Sequence, residues 1–171
     1  MAIKISDIPA EGLTLEIDDK LMLSDMGTAS TDVRAVLSIR PTGNGMFRVK
    51  GHIQASPLLE CSRCLKKFPY PVNTEPSFEL VPISVMGTAP EQELGKGDLD
   101  IEFYPGDEIE PIDLVREQLL IAVPMVPLHD PECKGLCSIC GKDRNEEECD
   151  CQQNLPNASG AFSALKDLLK N

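Results

Sequence analysis

Seven cysteines set the tightest limit on how this chain of 171 residues can fold, because four of them crowd into one short stretch. Cys137-Ser-Ile-Cys140 is followed by Cys149-Asp-Cys151, a second C-x-x-C stands upstream at Cys61-Ser-Arg-Cys64, and Cys133 comes just before the dense cluster. His129 lies four residues before Cys133. Two thiolates separated by two residues can sit on a tight turn and grip one ion at about 2.3 Å, leaving two tetrahedral corners for another pair. Gly135 and Gly141 suit such turns, since glycine accepts backbone angles that other residues resist and leaves amides to point at sulfur. A disulfide framework fits poorly: an odd number of cysteines leaves one thiol over, whereas seven cysteines plus His129 make eight donors, enough for two closed tetrahedral sites.

The expected ligands are therefore Cys61, Cys64, His129 and Cys133 in a first site and Cys137, Cys140, Cys149 and Cys151 in a second, each holding structural Zn2+. Loop entropy favours this local pairing, with the second site closing a short loop and the first tying together distant segments. The competing pairing is a zinc ribbon of Cys61 and Cys64 with Cys137 and Cys140, which predicts about one tight zinc per chain in place of about two. For His129 alone, a surface or hydrogen-bonded role competes with ligation.

A chain of this length buries roughly 70% of its unfolded surface, so it does not need metal merely to own a core, and a single domain over residues 1–171 is expected. The N-terminus lacks the long apolar run of a signal peptide and no stretch is apolar enough for a membrane span, which makes the cytoplasm the default location, with no membrane partner and no small-molecule substrate expected. Formal charge is -12; two thiolate-rich zinc sites would bring it to about -15. Such a surface repels nucleic acid except at a local basic patch and makes basic proteins plausible partners.

Residues 1–86 read as antiparallel strands. Leu13, Leu15 and Ile17 alternate with polar residues, as do Val33, Ala35, Leu37 and Ile39. Pro41-Thr-Gly-Asn-Gly45 supplies a hairpin turn, after which Phe47, Val49, Ile53 and Ala55 continue the alternation, with Gly51 at the skipped position. The opposite face carries Arg34, Arg40, Arg48, Lys50 and His52, a candidate patch for phosphate or an acidic partner whose plain reading is a solvated face. The strand is expected to run on through Leu58, Leu59 and Glu60 into Cys61, and Phe68, Tyr70 and Val72 alternate again before Phe78 and Leu80. Residues 87–110 read as an acidic insertion, either a solubilising loop or bait for a basic protein, with a short strand where Leu99, Ile101 and Phe103 alternate with acids. A helix is expected over 111–124, opened by Pro111, stopped by Pro124 and apolar along Ile112, Val115, Leu119 and Ala122. Residues 125–155 form the cysteine-rich metal segment, and 156–171 a C-terminal helix bearing Phe162, Leu165, Leu168 and Leu169. The expected fold class is α+β: an antiparallel β-rich sheet or partial barrel with one packed helix, a zinc-knuckle C-terminal segment and a short terminal helix.

Leu59 to Phe68 (LECSRCLKKF), Ala122 to Asp130 (AVPMVPLHD), Cys133 to Gly141 (CKGLCSICG) and Ala164 to Lys170 (ALKDLLK) together resemble the YceD family, described as large ribosomal RNA subunit accumulation proteins of bacteria and plastids. The resemblance covers most of the chain. It implies a non-enzymatic role in making, accumulating or assembling large-subunit (23S) ribosomal RNA, with that RNA or basic ribosomal proteins as partners. Family members often carry cysteine at the position of His129, which implies a ligand there, and many lack the second cysteine set, which implies a structural role for it.

Arg63, Lys66 and Lys67 flank one knuckle and Lys134, Lys142 and Arg144 the other, a rim that could touch RNA or a partner. Its plain reading is charge compensation beside zinc thiolates. Two other function classes compete: a zinc-dependent hydrolase acting on RNA, for which catalytic zinc would need an open corner and a placed general base, and a thiol redox protein using Cys61 and Cys64.

Overall fold

The computed structural model describes residues 2–23, 28–85 and 100–151. In chain order the elements are β1 (Ile3–Lys4), β2 (Leu13–Leu23), β3 (Thr28–Gly43), β4 (Met46–Ala55), β5 (Leu58–Glu60), β6 (Lys67–Pro69), β7 (Val72–Thr74), β8 (Ser77–Pro82), β9 (Ile101–Tyr104), β10 (Glu108–Ile109) and helix α1 (Pro111–Ala122). The main sheet runs β2-β3-β4-β8-β9, with β7 beside β4, and it does not close on itself; β1–β10 and β5–β6 are separate two-stranded ribbons. The architecture is thus the α+β class the alternation predicts, as an open sheet. The expected C-terminal helix and residues 87–99 of the acidic insertion lie outside the described residues.

Period-two patterning explains the core. Val33, Ala35, Leu37 and Ile39 of β3 and Phe47, Val49 and Ile53 of β4 all fall on the inner face and are buried. Asn44 and Gly45 turn the hairpin with positive φ at both positions, 53° and 74°, the geometry that matches the twist of the flanking strands. Gly51 lies opposite Leu37. A Cβ there would meet Leu37 Cδ2 at 2.5 Å and the Val36 carbonyl oxygen at 2.7 Å, so only glycine lets the two strands approach.

Three local expectations are revised. The strand does not continue from Ala55 to Cys61: it breaks at Ser56-Pro57, and β5 pairs with β6 in a ribbon of its own, because proline offers no N–H to continue a ladder. The short strand in the acidic stretch is real but runs parallel to β8, from Glu79↔Ile101 to Pro82↔Tyr104, whereas the other strand pairs among the described residues are antiparallel. Helix α1 ends at Ala122, since Val123 precedes Pro124 and is held extended at φ -81°, ψ 133°.

Helix α1 buries Pro111, Leu114, Val115 and Leu119, with Ile112 and Ala122 partly buried at its margins. Val115 and Leu119 pack with Leu21, Leu23, Val33, Leu37 and Val72. Leu114 joins Ile39, Phe47, Leu80, Tyr104 and Ile109. One helix thereby covers both halves of the inner face and delivers the chain to His129 and Cys133.

Candidate metal centres

Both C-x-x-C segments adopt one local structure. In the first, the Cys61 amide donates to the Lys66 carbonyl and the Leu65 amide to the Cys61 carbonyl, each at 2.9 Å. In the second, the Cys137 amide donates to the Lys142 carbonyl at 2.8 Å and the Gly141 amide to the Cys137 carbonyl at 2.9 Å. The equivalent turn positions Leu65 and Gly141 both have left-handed φ, 63° and 74°, which glycine accepts and leucine does not readily.

The donors gather into two groups. Cys61, Cys64, His129 and Cys133 have ligand atoms within 4.8 Å of one another, and so do Cys137, Cys140, Cys149 and Cys151. In the first group Cys61 Sγ lies 3.8 Å from Cys133 Sγ and Cys64 Sγ lies 3.4 Å from His129 Nδ1. Sulfurs about 2.3 Å from a shared tetrahedral centre stand about 3.8 Å apart, while a disulfide needs about 2.05 Å. The spacing therefore fits four protein donors around one small cation.

The groups differ in depth. Cys61, Cys64 and Cys133 are at most 6% exposed and pack with Phe68 and Leu128; His129 also meets Phe68 edge-on at 6.3 Å. In the second group Cys137 is buried but Cys140 is exposed and Cys149 and Cys151 are intermediate.

The thiols within each group divide. Burial alone would push Cys61 up, but hydrogen bonds from His129 and from the backbone at Arg63 and Cys64 bring it down to about 5. Burial pushes Cys64 up to about 11, with Cys133 and Cys61 adding to the effect. Backbone amides of Cys140 and Ile139, joined by Cys149, lower Cys137 to about 6. Cys151 is pushed up to about 12, chiefly by its hydrogen bond with Cys140, and Cys149 rises through its bond with Cys137. One ready thiolate beside reluctant neighbours is what a shared cluster shows when like charges accumulate. A divalent cation would supply the compensating charge and favour the deprotonated form of each ligand.

The basic residues flanking the knuckles have different surroundings. Arg63, though exposed, reaches across the site: its guanidinium donates to the Cys133 carbonyl at 2.8 Å and the Pro131 carbonyl at 3.2 Å, stapling the first knuckle to the segment that carries the third cysteine. Lys142 pairs with Glu147 at 2.6 Å. Lys134 and Arg144 are anchored by their backbones, the first to Asn145 Oδ1 and the second to the Gly135 carbonyl. Lys66 and Lys67 are exposed and, among the described residues, in no ion pair. On the sheet's outer face Arg34 pairs with Asp18 and Arg48 with Glu79, and His52 Nδ1 lies 3.8 Å from Glu75, so carboxylates offset the charge of both paired arginines in that row.

Two residues outside the donor set also shape the site. Asn145 Nδ2 donates to Cys133 Sγ at 3.4 Å and to Asp143, linking the loop of the second group to a thiol of the first. Gly135, at φ 68°, lies so close to Arg63 that a Cβ would sit 3.0 Å from its carbonyl oxygen, and that oxygen accepts the Leu136 amide at 3.0 Å. Gly135 suits the turn as the sequence predicts, but its contact with Arg63 does not follow from the pattern, and nothing in the sequence marks Asn145.

Comparison with known proteins places this site in context. The family model described as "Large ribosomal RNA subunit accumulation protein YceD" matches residues 49–169, a span that takes in both donor groups. The large ribosomal RNA subunit accumulation protein YceD of Haemophilus influenzae is 31% identical over 102 residues, 60% of this chain and 56% of that protein, so the chain spans little more than half of that relative's length. No solved structure matches.

Proposed function

Since the chain belongs to the YceD family, we propose that it is a non-enzymatic, zinc-binding factor that assists the synthesis, accumulation or assembly of large-subunit ribosomal RNA. The relative's name supplies the ribosomal role. The observation that carries the metal reading is the gathering of eight donors into two groups of four, with ligand atoms within 4.8 Å of one another in each. Cys61, Cys64, His129 and Cys133 hold one Zn2+ and Cys137, Cys140, Cys149 and Cys151 a second.

Four protein donors fill a tetrahedral shell, which is the arrangement of structural zinc; catalytic zinc keeps a corner for water. Zinc bound to the first group would clamp the β5–β6 ribbon to the segment after α1, and in the second it would tie Cys149 and Cys151 to the Cys137–Cys140 knuckle. In this reading the centres maintain a surface and carry out no chemistry. The partners are large-subunit ribosomal RNA or basic ribosomal proteins, met in the cytoplasm. Among the described residues no helix is long and apolar enough to cross a membrane. Lys66 and Lys67 are the best-placed RNA contacts of the rim, because Arg63 and Lys142 already have partners within the molecule.

Two measurements test the proposal. Native mass of protein purified without added metal should show about two zinc ions per chain; none, with seven free thiols, would sink the metal reading. Cells lacking the chain should show a lowered ratio of large- to small-subunit ribosomal RNA, restored by the wild type. An unchanged ratio would remove the ribosomal role.

A further inference from the structure

The β2 strand is eleven residues long and stands at one end of the main sheet, paired only with β3. Its far edge therefore presents backbone N–H and C=O groups that, among the described residues, no strand takes up. Such an edge is a template for a further strand.

The side chains beside that edge are incompletely covered. Leu13, Leu15 and Ile17 point to the same face as the core yet are only partly buried, whereas their β3 partners Ile39, Leu37 and Ala35 are at most 4% exposed. Between this row and the start of α1 lies a cleft of about 140 Å³ lined by Ile3, Leu15, Ile17, Pro111 and Ile112, with Glu16 and Asp19 at its rim. That is comparable to cavities that accept a benzene-sized group. The strand's polar side chains are mostly acidic: Glu16, Asp18 and Asp19 against Lys20.

We propose that the β2 edge and its acidic-rimmed apolar cleft form a docking site for an extended cationic peptide that adds to the sheet as a sixth strand in the main row, beside β2. The observations divide the work as strand addition requires. The outward backbone, in which the Lys20 amide donates to Asp19 Oδ1 and no strand pairs among the described residues, supplies the ladder. The half-covered row of Leu13, Leu15 and Ile17 takes an alternate set of apolar side chains, with Asp19 at the end of that row opposite Val33; Glu16 and Asp18, on the other face, attract lysine or arginine at the intervening positions, where Asp18 already faces Arg34. The same carboxylates oppose a second copy of β2, because edge-to-edge pairing of two such strands would bring like charges together. The partner is thus a basic segment of another protein. This deepens the basic-protein branch of the function proposed above and rests on it only for the partner's cellular identity.

The test uses the full chain and an acetylated ten-residue peptide alternating lysine and valine. Two controls accompany it: the same residues in two blocks, and an alternating glutamate–valine peptide. The alternating cationic peptide should bind at least about tenfold more tightly than either control, which is about 1.4 kcal/mol. Binding should slow hydrogen exchange at every second amide of β2, the set facing away from β3, with the smallest change at Lys20, whose amide already donates to Asp19 Oδ1 at 2.7 Å. The double variant Glu16→Lys/Asp19→Lys, with wild-type thermal stability, should lose at least tenfold in affinity. Equal binding of the block peptide, or binding without the period-two protection, would reduce the effect to general charge attraction and overturn the proposal. So would a free protein whose outward β2 amides are already protected in a dimer by native mass. Failure here leaves the ribosomal RNA ratio untouched, and an unchanged ratio leaves this binding intact, so the two proposals fail separately.

Discussion

Leu65 adopts the left-handed turn conformation that Gly141 adopts in the second knuckle, and its side chain is 56% exposed. A side chain with a Cβ pays roughly 1–2 kcal/mol for that backbone, and packing returns little to so exposed a leucine. Leu65→Gly should therefore stabilise the protein by about 1 kcal/mol in denaturant unfolding; an equal or larger loss would mean that the leucine makes contacts that outweigh its strain. Gly51→Ala should act oppositely. Its new methyl would press on a backbone carbonyl and on Leu37, for a loss of about 1–3 kcal/mol. Glu102 supplies a pH test. Burial, reinforced by the facing carboxyl of Glu117, raises it from an ordinary 4.5 to about 8. Between those values the folded state holds a proton that the unfolded chain releases, so this contribution is fully present below pH 4.5 and is lost as pH rises through about 8. Glu102→Gln should match wild type in melting temperature near pH 4.5 and exceed it above pH 8; parallel curves would show that the pair does not share a proton. The thiols were legible from spacing alone. Arg63, Asn145 and Glu102 were not, because their roles depend on which remote backbone or carboxylate the fold brings beside them.

Among elements, α1 is the piece on which both core clusters depend. Leu119 is fully buried beneath it, and Leu119→Ala should cost about 2–5 kcal/mol, read as a lower denaturant midpoint with an unchanged slope. The helix and most strands could be read from periodicity, since apolar side chains recur at period two in β2, β3 and β4 and at helical spacing between Pro111 and Pro124. The parallel β8–β9 pair could not. Alternation marks a strand but carries no information on its neighbour or direction, and the connection from Val85 to Asp100 brings β9 to β8 from a distance in sequence. The knuckles were legible as turns, but their common hydrogen-bond frame needed the structure. In the proposed zinc-loaded form, their unequal depth sets an order of metal loss. A chelator should strip the exposed second group first, giving a one-metal species in which Cys140, Cys149 and Cys151 are alkylated while Cys61, Cys64 and Cys133 stay protected. Simultaneous loss of both ions would show the centres to be one cooperative unit.

Across the whole molecule, the first donor group joins positions far apart along the chain: Cys61 and Cys133 are separated by 72 residues and Cys64 and His129 by 65. A chain made from its N-terminus thus releases the β2–β4 meander, and the first knuckle with it, long before the segment that completes their site. Cys61 and Cys64 must pass through that interval as a bare vicinal dithiol, the form most open to oxidation or to capture of the wrong ion. The second group, confined to Cys137–Cys151, has almost no such interval. The centre that ends up most deeply protected is therefore the one whose thiols wait longest for protection during birth of the chain, and its faithful assembly depends on a reducing surrounding more than the exposed centre's does.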